Sequence, residues 1–133
     1  MPKSFSIQPS VSIVIPVRNG AHFLPRAVAS ALGQQHRPLE VIVVDNNSTD
    51  TTAEVLATLA KAHPEVKATS CSTPGAAAAR NRGLREAQGD WVQFLDVDDT
   101  LYPEKVATQL ANYPAKTQWI IGGYRNQFRS GSY

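Results

Sequence analysis

The chain has one cysteine, one methionine, ten aromatic residues among Trp, Tyr and Phe, and no long apolar run. Each shortage closes off a class of protein. Cys71 is alone and forms no intramolecular disulfide, so the fold must come from a packed core rather than a disulfide framework. A lone cysteine fits a reducing compartment, although many extracellular chains also carry one, and its simplest role is that of a small apolar side chain. The longest apolar stretches, 11–17 and 41–44, fall far below the roughly 20 residues that a spanning helix requires. Residues 1–10 hold one Lys and no apolar centre, unlike a secretory signal. No transmembrane segment is expected. The cytoplasm is the expected location, with peripheral attachment at the inner membrane face left open.

Charge is also sparse. Thirteen Lys and Arg stand against eleven Asp and Glu, for a formal net charge of +2. The basic residues are scattered rather than banded, so no nucleic-acid partner is implied. What remains is a 133-residue chain, 42% hydrophobic, long enough for one core and short for an enzyme with two substrate sites.

The apolar residues fall into alternating periods. "VSIVIPV" (11–17) and "LEVIVVD" (39–45) are β-branched runs of the kind buried on both faces of a parallel sheet. Between them Phe23, Leu24, Ala27, Val28, Ala31 and Leu32 recur at helical spacing, with Pro25 in the first turn. Ser48, Thr49 or Asp50 would cap a second helix carrying Val55, Leu56 and Leu59. A weaker strand (66–71), an Ala-rich helix ended by Gly89, the strand-like "WVQFLD" (91–96), a short helix after Pro103 and a final "WII" (119–121) follow. Strands alternating with helices predict an α/β fold: an open, mostly parallel sheet with helices on both faces and right-handed crossovers. Residues 1–10 read as a tail, and 11–133 as one unit without repeats.

In such sheets ligands collect beyond the carboxyl ends of the strands. Three strand ends here are polar: "PVRN", "DNNSTD" and "DVDD". In "FLDVDDTL" (94–101), a strand persisting through residue 98 would project Asp96 and Asp98 to one face with Val97 opposite. Two adjacent carboxylates repel unless a cation sits with them. Mg²⁺ or Mn²⁺ suits oxygen ligands and is commonly shared between one or two carboxylates and substrate phosphates. Zinc is not suggested, since His22, His36 and His63 are scattered and expected at the surface. The bland alternative is that acidic residues cap the helix that follows, a role expected for Asp99 and Thr100.

Four segments, "VSIVIPVRN", "LEVIVVDNNSTDTT", "PGAAAARNRGL" and "GDWVQFLDVDDTLYPEKV", occur in the order and approximate spacing of the family 2 glycosyltransferases, and the chain resembles that family from about Val11 to Val106. The resemblance implies a GT-A, Rossmann-like fold and an inverting transferase that moves a sugar from a nucleotide-diphosphate sugar, UDP-linked by expectation, to an acceptor hydroxyl. It implies a divalent metal, Mn²⁺ or Mg²⁺, and a saccharide or lipid-linked acceptor, as in polysaccharide biosynthesis. Carried over by position, Pro16, Val17 and Asn19 lie along the nucleotide, Asp45 accepts from the base, Arg80 stands near the nucleotide, Asp96 lies near the ribose, and Asp98 holds the metal. Each has a local alternative: Asp45 as a cap of the next helix through the turn 46–48, Arg80 as a solvated helix residue, Pro16 as a strand end.

The chain also departs from the pattern. Asn46 stands where a second Asp is frequent, a change expected to matter little, and Arg18 stands where many relatives carry an aromatic. Inverting transfer needs a general base, yet no Asp or Glu follows Glu104. The expectation is therefore a donor-binding portion with the acceptor part missing, inactive or weakly active by itself. Two other classes stay open: a noncatalytic nucleotide-binding or interaction module, and a haloacid-dehalogenase-like phosphatase, whose first motif "FLDVDDTL" also resembles. The latter would need a later Lys and acidic pair. Only Lys105 and Lys116 follow.

Overall fold

A computed structural model describes residues 8–111. The expected strand 119–121 and most of the tail lie outside the described residues. The elements are β1 (Val11–Val17), α1 (Leu24–Leu32), β2 (Leu39–Asp45), α2 (Thr52–Ala62), β3 (Val66–Ser70), α3 (Ala76–Glu86), β4 (Trp91–Phe94) and α4 (Lys105–Ala111).

The four strands form one sheet in the order β3-β2-β1-β4, every pair parallel. β1 and β2 are central, which is why their β-branched runs are apolar without alternation. Their pleat divides the side chains between two cores. Ile13, Ile15, Val17, Val41 and Val43 pack with α1 residues Leu24, Ala27, Val28 and Ala31, and with Leu56 of α2 and Val106 of α4. On the opposite face Val14, Ile42 and Val44 meet Ala79 of α3. Helices therefore cover both faces, as the sequence predicts.

The chain steps from β1 to β2 to β3 in one direction, then α3 carries it back over the other face to place β4 beside β1. Strand order thus reverses between β1 and β4, where crevices form in open α/β sheets. The return crossover packs closely. A Cβ on Gly83 would stand 2.3 Å from Cγ1 of Val14, so only glycine lets α3 approach the sheet this far. At the other end of the strands, the Arg37 guanidinium donates to the carbonyls of Leu32, Gln34 and His36, placing a cation at the carbonyl end of α1.

Candidate functional site

A cleft of about 480 Å³ opens at the carboxyl ends of β1 and β4. One wall is the end of β1 with the loop after it, Pro16, Val17, Arg18 and Asn19; another is the start of α3, with Gly75, Ala79 and Arg80; Asp96 and Asp98 stand opposite. Six residues expected from the sequence at the site, Pro16, Val17, Asn19, Arg80, Asp96 and Asp98, therefore line one cavity. Asp45 is not among its lining residues, although its neighbour Asn46 is. Asp45 ends β2 in register with Val17, and its Oδ1 accepts the Ser48 amide at 3.3 Å, a contact within the turn that stops short of α2, whose N-cap is Thr51.

The acidic segment is built differently from a continued strand. β4 stops at Phe94, and the carboxylates sit on a turn closed by the Asp99 amide donating to the Asp96 carbonyl at 3.0 Å. Alternation survives without the ladder. Leu95 is buried and Val97 joins the core beside Gly20, while Asp96 and Asp98 face outward. Gly20 leaves the room: a Cβ there would lie 3.1 Å from Val97 Cγ1 and 2.7 Å from Val17 Cγ2.

Asp99 departs from its expected role. It does not cap the next helix, because α4 begins only at Lys105, after the Pro103 turn in which the Lys105 amide donates to the Tyr102 carbonyl. Instead its carboxylate joins those of Asp96 and Asp98, one oxygen from each lying within 4.8 Å of the others. Partial burial, then the negative charges of Asp98 and Asp96, raise the Asp99 carboxyl above its ordinary value. This all-oxygen donor set fits a hard divalent cation such as Mn²⁺ or Mg²⁺ and offers nothing to a soft one.

Two polar links hold the surroundings. The Arg80 guanidinium pairs with Asp96 Oδ1 at 3.1 Å, tying α3 to the acidic turn. Asn19, in a left-handed conformation (φ 51°), accepts on Oδ1 from the amides of Thr49 (2.6 Å) and Asp50 (3.2 Å), while its own amide donates to Ser48 Oγ. The first and second loops are thereby joined. Asp50 completes the seam by accepting from the Ala21 and Thr52 amides; the N-cap of α2 is Thr51, not one of the expected Ser48, Thr49 or Asp50. These hydrogen bonds hold the Asp50 carboxyl below its ordinary value, the Thr52 hydroxyl contributing most.

Two readings of single residues are overturned. His36 is buried rather than at the surface, its Nε2 donating to the Pro9 carbonyl, whereas His22 and His63 are exposed. Phe23, grouped with the apolar face of α1, precedes that helix, is 45% exposed and lines the cleft. Its apolar character concealed this, since the helix turns inward only from Leu24. A second hollow of about 280 Å³ flanks β4 and α4, walled mainly by Val11, Leu84, Trp91, Phe94, Val106 and Leu110, with Asp90, Gln93 and Gln109 as its polar lining.

The model of the family described as Glycosyl transferase family 2 matches residues 12–131. An uncharacterized glycosyltransferase of Haemophilus influenzae is 39% identical over 103 residues, covering 77% of this chain and 41% of its own length. TuaG of Bacillus subtilis, named for a glycosyltransferase role in teichuronic acid biosynthesis, is 38% identical over 104 residues with the same coverages, 77% and 41%. Among solved structures, S. aureus TarS 1–349 in complex with UDP superposes with TM-score 0.69 at 27% identity, covering 77% of this chain and 31% of that one. The mannosyltransferase PcManGT of Pyrobaculum calidifontis, in complex with GDP-Man and Mn²⁺, gives 0.68 at 29% identity, with coverages of 77% and 31%. The chain thus spans less than half the length of these relatives.

Proposed function

The chain belongs to glycosyl transferase family 2, and from that premise we propose that it binds the donor of a sugar transfer, a nucleotide-diphosphate sugar of UDP type, together with a divalent cation. The observation that carries the reading is the meeting of the Asp96 and Asp98 carboxylates, with Asp99 beside them, and the Arg80 guanidinium at one cleft on the switch point of the sheet. Relatives of the same fold were solved with UDP, with UDP-GlcNAc, and with GDP-Man and Mn²⁺.

In this reading Asp98 holds the metal, with Asp96 and Asp99 beside it, and the bound ion would supply positive charge against the departing diphosphate. Asp96 serves the ribose and Asp45 the base, whose imide a carboxylate can accept. Pro16, Val17 and Asn19 form the rim along the nucleotide. Arg80 adds a fixed positive charge where negative charge gathers. Inversion requires a carboxylate to take the proton of the attacking hydroxyl; with no Asp or Glu after Glu104, that base and the acceptor site are assigned outside these 133 residues. The acceptor is a saccharide or lipid-linked saccharide of polysaccharide biosynthesis, met at the cytoplasmic side of the membrane.

Calorimetric titration with UDP tests the reading. Heat should require Mn²⁺ or Mg²⁺, and Asp98→Asn should weaken UDP at least about tenfold, equivalent to ~1.4 kcal/mol. Equal UDP affinity with the metal chelated, or in Asp98→Asn, would overturn it. The absence of a downstream carboxylate favours a second reading, a nucleotide-binding module that performs no transfer unaided. Sugar transfer by this chain at the rate of a full-length relative would exclude that one.

A further inference from the structure

Asn46 immediately follows β2 and is 3% exposed, yet it lines the cleft. Its backbone amide donates to the Val17 carbonyl at 2.8 Å, fixing it against β1. Its side chain works in both directions. Nδ2 donates to the Thr73 carbonyl at 2.8 Å, and Oδ1 accepts the Gly75 amide at 3.3 Å. A primary amide has a donor and an acceptor to offer together, whereas a carboxylate would meet the Thr73 oxygen with like charge. The exchange of a frequent Asp for this Asn is expected from the sequence to change little; the contacts show what the amide itself does at this position.

Gly75 is the residue from which α3 starts, with a positive φ of 110°. Its carbonyl accepts the Ala79 amide at 3.2 Å, one residue before Arg80. The helix is held at two places: Gly83 against Val14 on the sheet, and Gly75 on the amide of Asn46. Arg80 lies between these two anchors.

We infer that Asn46 is a positioning residue for Arg80: its buried amide clamps the β3–α3 loop and thereby sets where the guanidinium stands in the cleft. The inference rests on the donor-binding reading above and deepens it by naming what aims one of its charged groups. The Asn47 amide, which donates to the Ser72 carbonyl at 3.0 Å, supports the same loop from outside and is exposed, so it is the weaker of the two ties.

The test combines hydrogen exchange with a double-mutant cycle in the 133-residue chain. Asn46→Ala, and the near-isosteric Asn46→Asp should the alanine variant fold poorly, are expected to speed amide exchange at Gly75 to Arg80 by about tenfold, while β1 and β2 amides are unchanged. In the presence of Mn²⁺, Asn46→Ala and Arg80→Ala should each weaken UDP several-fold, and the double variant should lose no more than Arg80→Ala alone. Unchanged exchange in both Asn46 variants, or additive losses in the cycle, would overturn the inference. Failure of the parent chain to bind UDP would instead count against the donor-binding reading, and the exchange data would still decide the clamp.

Discussion

Glu40 shows how a single residue ties the amino-terminal half of the sheet together. Its side chain, 12% exposed, accepts from Lys67 Nζ at 2.6 Å, from the Ser12 hydroxyl at 2.5 Å and from the Gln88 amide at 2.7 Å. Burial opposes the charge, but Lys67, Ser12 and Gln88 together outweigh it and leave the carboxyl below its ordinary 4.5. A lowered acid stabilises the fold fully above its unfolded value, and the contribution fades as pH falls through the lower folded value. Glu40→Gln should therefore cost about 1–2 kcal/mol at pH 7, and chemical denaturation should show the gap closing once the pH drops below 4.5. Asn19 permits a second test at this scale. Asn19→Gly keeps the left-handed backbone and loses the bonds to Thr49 and Asp50, for about 1 kcal/mol. Asn19→Ala adds the strain of an L side chain there, a further ~1–2 kcal/mol, so denaturant midpoints should fall in the order parent, Gly, Ala.

The decisive element is α3, which returns the chain across the sheet and brings Arg80 to the acidic turn. Gly83 sets up two opposing effects. Replacing a mid-helix glycine with alanine gains about 1 kcal/mol in helix propensity. The added Cβ would lie 2.3 Å from Val14, a fully buried residue of a central strand, and such overpacking costs about 1–3 kcal/mol. The clash should win. Gly83→Ala is expected to lower the thermal midpoint and, by lifting α3, to weaken UDP as well; a raised midpoint would show that α3 has slack. Helices and central strands were legible because period is a local property: β1 and β2 match the expected runs to the residue. The end of β4 was not. Its apolar letters continue to Leu95, but the pairing with β1 ends at Phe94, and no local pattern marks where a partner strand stops.

For the whole molecule, the order β3-β2-β1-β4 places β1 and β2 inside and leaves β3 with only Val66 buried. Amide exchange should accordingly be slowest at Ile13 to Ile15 and Val41 to Val43 and markedly faster in β3; equal protection across the three strands would contradict a sheet with β3 at its margin. The same order explains the site. Because β4 adds beside β1 rather than beside β3, the first loop and the acidic turn become neighbours, and Val97 stands where a Cβ on Gly20 would meet it, across 77 residues of sequence. The match to glycosyl transferase family 2 over 12–131 also sets the chain apart from the haloacid-dehalogenase-like phosphatases that "FLDVDDTL" resembles.

By itself the sequence determined the class of fold, the central strands, and six of the seven candidate side chains now found on one cleft, since alternation, helical spacing and short motifs are written in consecutive residues. Tertiary structure alone decided that Asp99 joins the acidic group instead of capping a helix, that Phe23 faces the cleft, that Asp45 lies off its lining, and that Asn46 clamps the start of α3. Each of these depends on atoms brought together from distant parts of the chain, on which strand lies beside which and how closely a glycine lets them pack, and such distances are set by the packed core rather than by any neighbouring letters.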